Sequence, residues 1–257
     1  MIARAWRVLR TGFAFAVFGL YSLGIFATAV PWVRLVHRDP VERQLRVQAT
    51  VNRAFRHFLA LLQGLGLARI HVESPEKLRE PGVLVMANHP TLIDAVAILA
   101  QMPHAVVVTK HANQTNFFMG GTVRGAGYIS NLDARDMVSE CAARLEMGHS
   151  IVLFPEGTRS PKGGLGEFHR GAARIALEAG RDIVPIVITC DPPTLMKNQP
   201  WWDVPDRPFE YAIRSAATVA LGPYAEAMDA GEPRARAARR LNAELRELFE
   251  KALGLDV

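Results

Sequence analysis

Two apolar runs, Val83 to Met86 and Ile151 to Phe154, each end at a short polar string, and this repeated grammar constrains the fold more than any other feature. A continuous apolar run of that length reads as a strand buried on both faces, the usual condition of a parallel sheet. Ala105 to Thr109 and Ile183 to Ile188 read the same way, and helical stretches at Pro90 to Ala100, Ala134 to Met147 and Arg170 to Ala179 separate the runs. The alternation predicts an α/β fold with a largely parallel sheet flanked by helices. Ala68 to Glu73 is expected as a short edge strand, Phe209 to Ala216 as a further strand and Pro233 to Leu253 as a closing helix. Open α/β sheets hold their ligands beyond the carboxyl ends of the strands, which is where both polar strings fall.

The first string, Asn88-His89-Pro90-Thr91-Leu92-Ile93-Asp94, offers a histidine with a carboxylate five residues on. Imidazole has an ordinary pKa of about 6.5, so a useful fraction is neutral at pH 7 and can take a proton from an alcohol. With Pro90 in the first helical position, Asp94 would reach back to one ring nitrogen, fix the tautomer and stabilise the imidazolium. Backbone amides at the same helix opening are candidates for holding an oxyanion. The second string, Phe154-Pro155-Glu156-Gly157-Thr158-Arg159-Ser160, puts a carboxylate, a residue without a side chain, a hydroxyl and a guanidinium into one turn. That set suits an anionic, hydroxyl-bearing substrate. The two strings together point to acyl transfer, by direct attack of an acceptor alcohol on a thioester.

The amino terminus is apolar and uncharged from Thr11 to Val33, with Arg4, Arg7 and Arg10 before it and Arg34 and Arg38 after it. Twenty-three helical residues would extend roughly 35 Å, enough to cross a hydrocarbon core. A second amphipathic helix is expected from Val41 to Gln63, with Asp39 as its cap and Pro40 in its first turn. The two helices predict a membrane-anchoring hairpin over residues 1–66, followed by a catalytic domain over residues 67–257. Basic residues on both flanks leave a full span and a hairpin dipping into one leaflet both open. Ala27-Thr28-Ala29 imitates a signal-peptidase site, but the apolar run continues past it. The net charge of +5 favours anionic headgroups and the phosphates of a thioester donor. Nucleic acid is a poorer reading, because the arginines are scattered and not interleaved with stacking aromatics. Two isolated cysteines and eight dispersed histidines give no metal-ligand spacing, so neither metal nor cofactor is expected. Trp201 and Trp202 lie in a proline-rich loop from Asp191 to Pro208 and are candidates for a lid or an interfacial contact.

The paired strings resemble the glycerolipid acyltransferases that esterify lysophosphatidic acid, whose signatures are a His-x4-Asp block and a downstream Phe-Pro-Glu-Gly-Thr-Arg-Ser block. The likeness runs from about Gly82 to Ile188, and the second block matches throughout. It implies that His89 and Asp94 are the catalytic pair and that Glu156, Gly157, Thr158 and Arg159 line the acceptor site. Lys110 resembles a basic residue common after that strand, and Ile183 to Ile188 resembles a block that shapes the acyl or acceptor pocket. The implied activity moves a fatty acyl group from acyl-CoA or acyl carrier protein to a lysophospholipid hydroxyl, foremost 1-acyl-sn-glycerol-3-phosphate, in phospholipid biosynthesis. The implied place is the cytoplasmic face of the cell membrane, with membrane lipids as partners. One position departs. Members with a phosphate-bearing acceptor usually carry arginine after Gly-x-Ile-x, and here Gly127-Tyr128-Ile129-Ser130 precedes Asn131. Arg124 and Arg135 are the nearby candidates to replace that charge, with Gly120, Gly121, Gly125 and Gly127 letting the backbone approach a ligand. A non-phosphate acceptor such as an amino-acid lipid or a pigment lipid therefore stays open. So do a lipid or thioester hydrolase and a non-catalytic lipid-binding protein.

Overall fold

The computed structural model describes residues 2–255. Helix α1 (Ile2–Gly24) runs through a π-helical turn (Ile25–Ala29) into α2 (Val30–Val36). Pro31 has no N–H to donate and its ring would crowd the carbonyl one turn back, which accounts for the widened turn before it. The Asp39 carboxylate accepts from the Val41 and Glu42 amides and starts α3 (Pro40–Gly64), as the cap residues predict.

α3 runs antiparallel to α1. The Arg10 guanidinium donates to the Leu65 carbonyl at 3.0 Å, Phe18 stacks on Phe55 at 5.9 Å, and Val30 and Val33 pack with Val47 and Val51. Thr11, Ala14, Ser22, Ile25, Val30 and Val33 form one buried stripe along the first helix, at the spacing of a single helical face. Its opposite face, with Leu9, Phe13, Leu20 and Leu23, stays exposed although apolar.

The remaining elements are β1 (Ala68–Glu73), β2 (Leu84–Ala87), α4 (Asp94–Leu99), β3 (Ala105–Thr109), α5 (His111–Thr115), α6 (Gly120–Gly125), β4 (Ile129–Ser130), α7 (Ala134–Glu146), β5 (Ser150–Leu153), α8 (Gly171–Ala179), β6 (Ile183–Asp191), β7 (Phe209–Ser215), α9 (Gly222–Asp229) and α10 (Arg234–Leu253). They build a seven-stranded sheet in the order β1-β7-β6-β2-β5-β3-β4. The five strands from β6 to β4 are mutually parallel, and β7 pairs antiparallel with β6 and parallel with β1. The expected α/β class and its largely parallel sheet are present.

Alternate residues of each central strand feed two cores. Val85, Val107, Val152 and Ile186 face a core shared with Phe58, Leu59 and Leu62 of α3, while Leu84, Val106, Ile151 and Ile183 face α7, α8 and α10. The hairpin thus shares one continuous apolar cluster with the sheet.

The glycines of α6 and of the turn after it serve packing and not close approach to a ligand. A Cβ on Gly121 would enter the Phe26 ring, one on Gly125 would stand 2.8 Å from Val30, and one on Gly127 would stand 2.6 Å from Gln44. The loop expected to bring backbone to a substrate is the seat on which the hairpin rests.

Candidate active site

β2 ends at Ala87, and the Asn88 side chain then ties it to β6 in both directions. Its amide donates to the Ile188 carbonyl at 2.9 Å and accepts from the Ile188 N–H at 2.7 Å. The chain therefore leaves the sheet in one fixed direction and brings His89 over the carboxyl ends of β2 and β5. The second string holds it there. The His89 N–H donates to Glu156 Oε1 at 3.0 Å, and its carbonyl accepts from the Ser160 N–H at 2.7 Å.

Glu156 is buried, and its carboxylate is fully used: Ser160 Oγ donates to Oε1 at 2.6 Å and the Gly166 N–H to Oε2 at 2.6 Å. A Cβ on Gly166 would stand 2.8 Å from that oxygen, so only glycine admits this contact. Glu156 lies beneath the turn as a clamp between the strings, not on its surface facing an acceptor. Ser160, the hydroxyl of the second string, is buried in the same clamp. Burial pushes the Cys190 thiol at the end of β6 up to about 12. Neither group is an available nucleophile.

His89 Nδ1 stands 2.7 Å from Asp94 Oδ2. A carboxylate only accepts, so Nδ1 is the donor in this pair, and in the neutral imidazole the lone pair is then on Nε2. The ring lies against Phe154, centroids 4.2 Å apart and 25° from parallel, and keeps 19% of its side-chain surface exposed. Asp94 itself is completely buried. Besides the imidazole it accepts from the Thr91 N–H at 2.7 Å, from Thr91 Oγ1 at 2.5 Å and from the Tyr211 hydroxyl at 2.7 Å.

One sequence expectation fails here. The helix expected from Pro90 begins only at Asp94, because the Asp94 side chain closes a turn over Thr91 in place of the helical hydrogen bonds. The Leu92 N–H donates to the Leu195 carbonyl at 3.0 Å and the Ile93 N–H to Thr91 Oγ1 at 3.3 Å. The amides of Thr91, Leu92 and Ile93 are all committed, so the oxyanion donors expected at this opening are not among them.

Gly157 sits at φ +63°, a left-handed position, and exposes the turn next to His169. Thr158 and Arg159 follow it half-buried. The Arg159 guanidinium donates through one nitrogen to the carbonyls of Leu195 and Met196, at 3.0 and 2.8 Å, and so pins the proline-rich loop to the site. Strand order places His89, the Gly157 turn, Lys110 and Asn131 in a row along one sheet edge. Lys110 is exposed at the start of α5. Arg124, exposed on α6, is turned toward the Gln114 carbonyl, and Arg135 is exposed at the start of α7. Trp201 packs on Phe15 of α1 at 6.4 Å and Trp202 on Trp201 at 5.6 Å, both half-exposed between loop and hairpin.

The strings also carry positioning residues that spacing alone did not single out. Asn88, Thr91 and Ser160 lie within them. Tyr211 lies 117 positions from Asp94, and its only sequence signal is the inward alternation of Phe209, Tyr211 and Ile213 on β7.

Residues 69–189 match the family model described as Acyltransferase. The chloroplastic 1-acyl-sn-glycerol-3-phosphate acyltransferase LPAT1 of Arabidopsis thaliana is 30% identical over 149 residues, covering 53% of this chain and 42% of that protein. The human 1-acyl-sn-glycerol-3-phosphate acyltransferase beta is 27% identical over 146 residues, covering 52% of this chain and 49% of the relative. The chain spans about half the length of these relatives. The crystal structure of PlsC, the 1-acyl-sn-glycerophosphate acyltransferase of Thermotoga maritima, superposes with a TM-score of 0.74 at 18% identity, over 98% of this chain and 96% of that one. That structure shares the fold, from the amino-terminal helices to the last. Over residues 69–189 the chain is thus similar to the Acyltransferase family model and, over about half its length, to these relatives.

Proposed function

We propose that the protein is an O-acyltransferase that moves a fatty acyl group from a thioester to the free hydroxyl of 1-acyl-sn-glycerol-3-phosphate. The observation that carries this reading is the His89–Asp94 pair, oriented at 2.7 Å at the carboxyl edge of the sheet so that Nε2 is the ring nitrogen turned away from the carboxylate. His89 Nε2 takes the hydroxyl proton as the alkoxide oxygen attacks the thioester carbonyl carbon. The carbon–sulfur bond then breaks, and the imidazolium returns the proton to the departing thiolate. Asp94 stabilises the imidazolium between those steps. Acyl-CoA and acyl carrier protein present the same thioester, and both fit this chemistry.

The acceptor's polar head is assigned to Thr158, Arg159 and Lys110 along the edge row, with Arg124 further out on α6. Glu156 and Gly157 shape that turn, Glu156 from beneath. The acyl chain is assigned to the narrow, mostly apolar cleft where α1 and α3 meet the proline-rich loop, lined by Phe15, Phe58, Leu62, Ile93, Leu195 and Trp201. A non-phosphate lipid acceptor is the second reading, and Asn131 in place of the usual arginine favours it.

The assigned place is the membrane surface, at the cytoplasmic face where thioesters are made, with residues 1–66 as the anchor and residues 67–257 as the catalytic part. The helix from Arg4 to Val36 is long and apolar enough to cross a bilayer by length and composition. Its buried stripe on the catalytic part supports a helix lying in one leaflet, outer face in lipid, over a full span. Purified protein incubated with labelled thioester and a panel of lysophospholipids and non-phosphate hydroxylated lipids tests the whole reading. Acylated 1-acyl-sn-glycerol-3-phosphate, absent with H89A, is the expected product. Release of free fatty acid without dependence on any acceptor would make the protein a hydrolase.

A further inference from the structure

Among the described groups that hydrogen-bond directly to Asp94, one comes from outside the segment that matches the family model. Tyr211 lies on β7, beyond residue 189 where the match ends. It pairs in register with Cys190 of β6 and Ile70 of β1. Its side chain is fully buried, and its hydroxyl donates to Asp94 Oδ1 at 2.7 Å.

The direction of that bond is fixed. Asp94 as a carboxylate has no proton to give, so the phenol must be the donor. Burial and the adjacent Asp94 charge hold the Tyr211 hydroxyl well above its ordinary ionisation range, which keeps the donor in place at every working pH. Each Asp94 oxygen then has two donors: His89 Nδ1 and the Thr91 N–H on Oδ2, Thr91 Oγ1 and Tyr211 on Oδ1. With four bonds the carboxylate cannot rotate. Of these four bonds, only that from Tyr211 comes from another strand of the sheet and not from residues 89–94, so it anchors Asp94 to the core beyond its own turn.

We infer that Tyr211 is a positioning residue for acyl transfer, setting through Asp94 both the orientation of the His89 ring and the strength of the Nδ1–H hydrogen bond. This rests on the acyl-transfer reading above. A hydrogen bond to Oδ1 draws charge away from Oδ2, so the phenol moderates how hard Asp94 holds the imidazole proton. Removing it leaves a stronger acceptor facing His89 and a carboxylate free to turn.

The test compares the full chain with Y211F, which deletes one oxygen and keeps the ring. The expected kcat falls on the order of tenfold while KM for thioester and for acceptor stays unchanged. The low-field ring N–H proton resonance of His89, identified by its loss in H89A, moves further downfield in Y211F. In the D94N background, adding Y211F changes kcat by less than twofold, because the route through Asp94 is already cut. If Y211F does not fold, 3-fluorotyrosine at position 211 replaces it. The stronger phenol donor then moves the same resonance upfield. An unchanged resonance, or a Y211F loss that persists in full on D94N, overturns the inference. The proton spectrum is read on resting protein, so it decides the matter even if the wild type acylates none of the acceptors tried, which would sink the acyl-transfer reading instead.

Discussion

Both ends of the parallel sheet bury ionisable side chains, and they treat them in opposite ways. At the carboxyl edge, Asp94 and Glu156 are sealed from solvent, and every carboxylate oxygen meets protein donors. At the amino edge, His149 is buried just before β5 beside a cavity of about 260 Å³, with Nδ1 left without a partner. Its neighbours Arg144 and His104 add positive charge, and burial holds its ionisation below 6.5. A buried charge with full partners stays charged and rigid, whereas a buried base with an orphan nitrogen stays neutral. The first condition suits catalysis, and the second is a tolerance of the fold.

The sharpest break of that contrast is at Asp94. Asp94→Asn keeps the shape but turns an oxygen that only accepts into a donor facing Thr91, Tyr211 or the imidazole. The expected outcome is a loss of kcat of about 10²- to 10⁴-fold with acceptor KM little changed, and His89→Ala should match it. Steady-state kinetics with purified protein check both. Near-normal turnover in either variant would mean that the partnered edge is structural only.

Glu156→Gln probes the same rule one layer down. The new amide meets a donor at Gly166 or at the His89 and Ser160 pair, so one buried hydrogen bond is lost and one donor is left facing another. The expected destabilisation is about 2–3 kcal/mol, read as a fall of roughly 4–12 °C in thermal midpoint, with activity falling because the His89 backbone loosens. A melting curve that matched the wild type would show the clamp to be dispensable.

Arg159 sits at the margin between buried and solvated, and its effect should be smaller and of another kind. Arg159→Ala removes the bonds to Leu195 and Met196 along with the charge offered to the acceptor. Acceptor KM is expected to rise on the order of tenfold with kcat nearly retained, and Arg159→Lys should recover only part of it, since a point charge cannot replace the planar fork. A fall confined to kcat would shift Arg159 from acceptor binding to loop positioning.

The difference between the two ends also sets what the sequence could reveal. The strands, their largely parallel pairing and the meeting of His89 with Asp94 were legible, because apolar runs and a five-residue spacing are local signals. The true start of α4 was not, since Asp94 spends its side chain on Thr91 in a turn that imitates a helix opening at Pro90. The family resemblance assigns Glu156 to the acceptor site, and the burial of that side chain, which depends on Gly166 ten residues away, leaves no local signal. The glycines of α6 and of the turn after it read as ligand contacts because only the third dimension places Phe26, Val30 and Gln44 against them. Tyr211 was invisible for the same reason: a long-range hydrogen bond leaves no periodicity.

The smallest expected effect belongs to the amino edge. The folded protein holds His149 neutral, by burial first and then by Arg144 and His104, so as pH falls the unfolded chain takes up this proton before the folded one does. The contribution of His149 to stability is therefore complete above about pH 6.5 and is lost as pH falls from there toward the lower folded value. The thermal midpoint should decline by a few degrees between pH 7 and 5.5. His149→Leu should flatten that slope, because it removes both the titrating group and the orphan nitrogen. Exposed Glu210, held low by Arg69 and His71, loses its contribution only below about pH 4.5, so the two windows stay apart. A slope between pH 7 and 5.5 that survives in His149→Leu would place the acid sensitivity elsewhere. It would also remove the reason for treating the amino edge as the less completely partnered end.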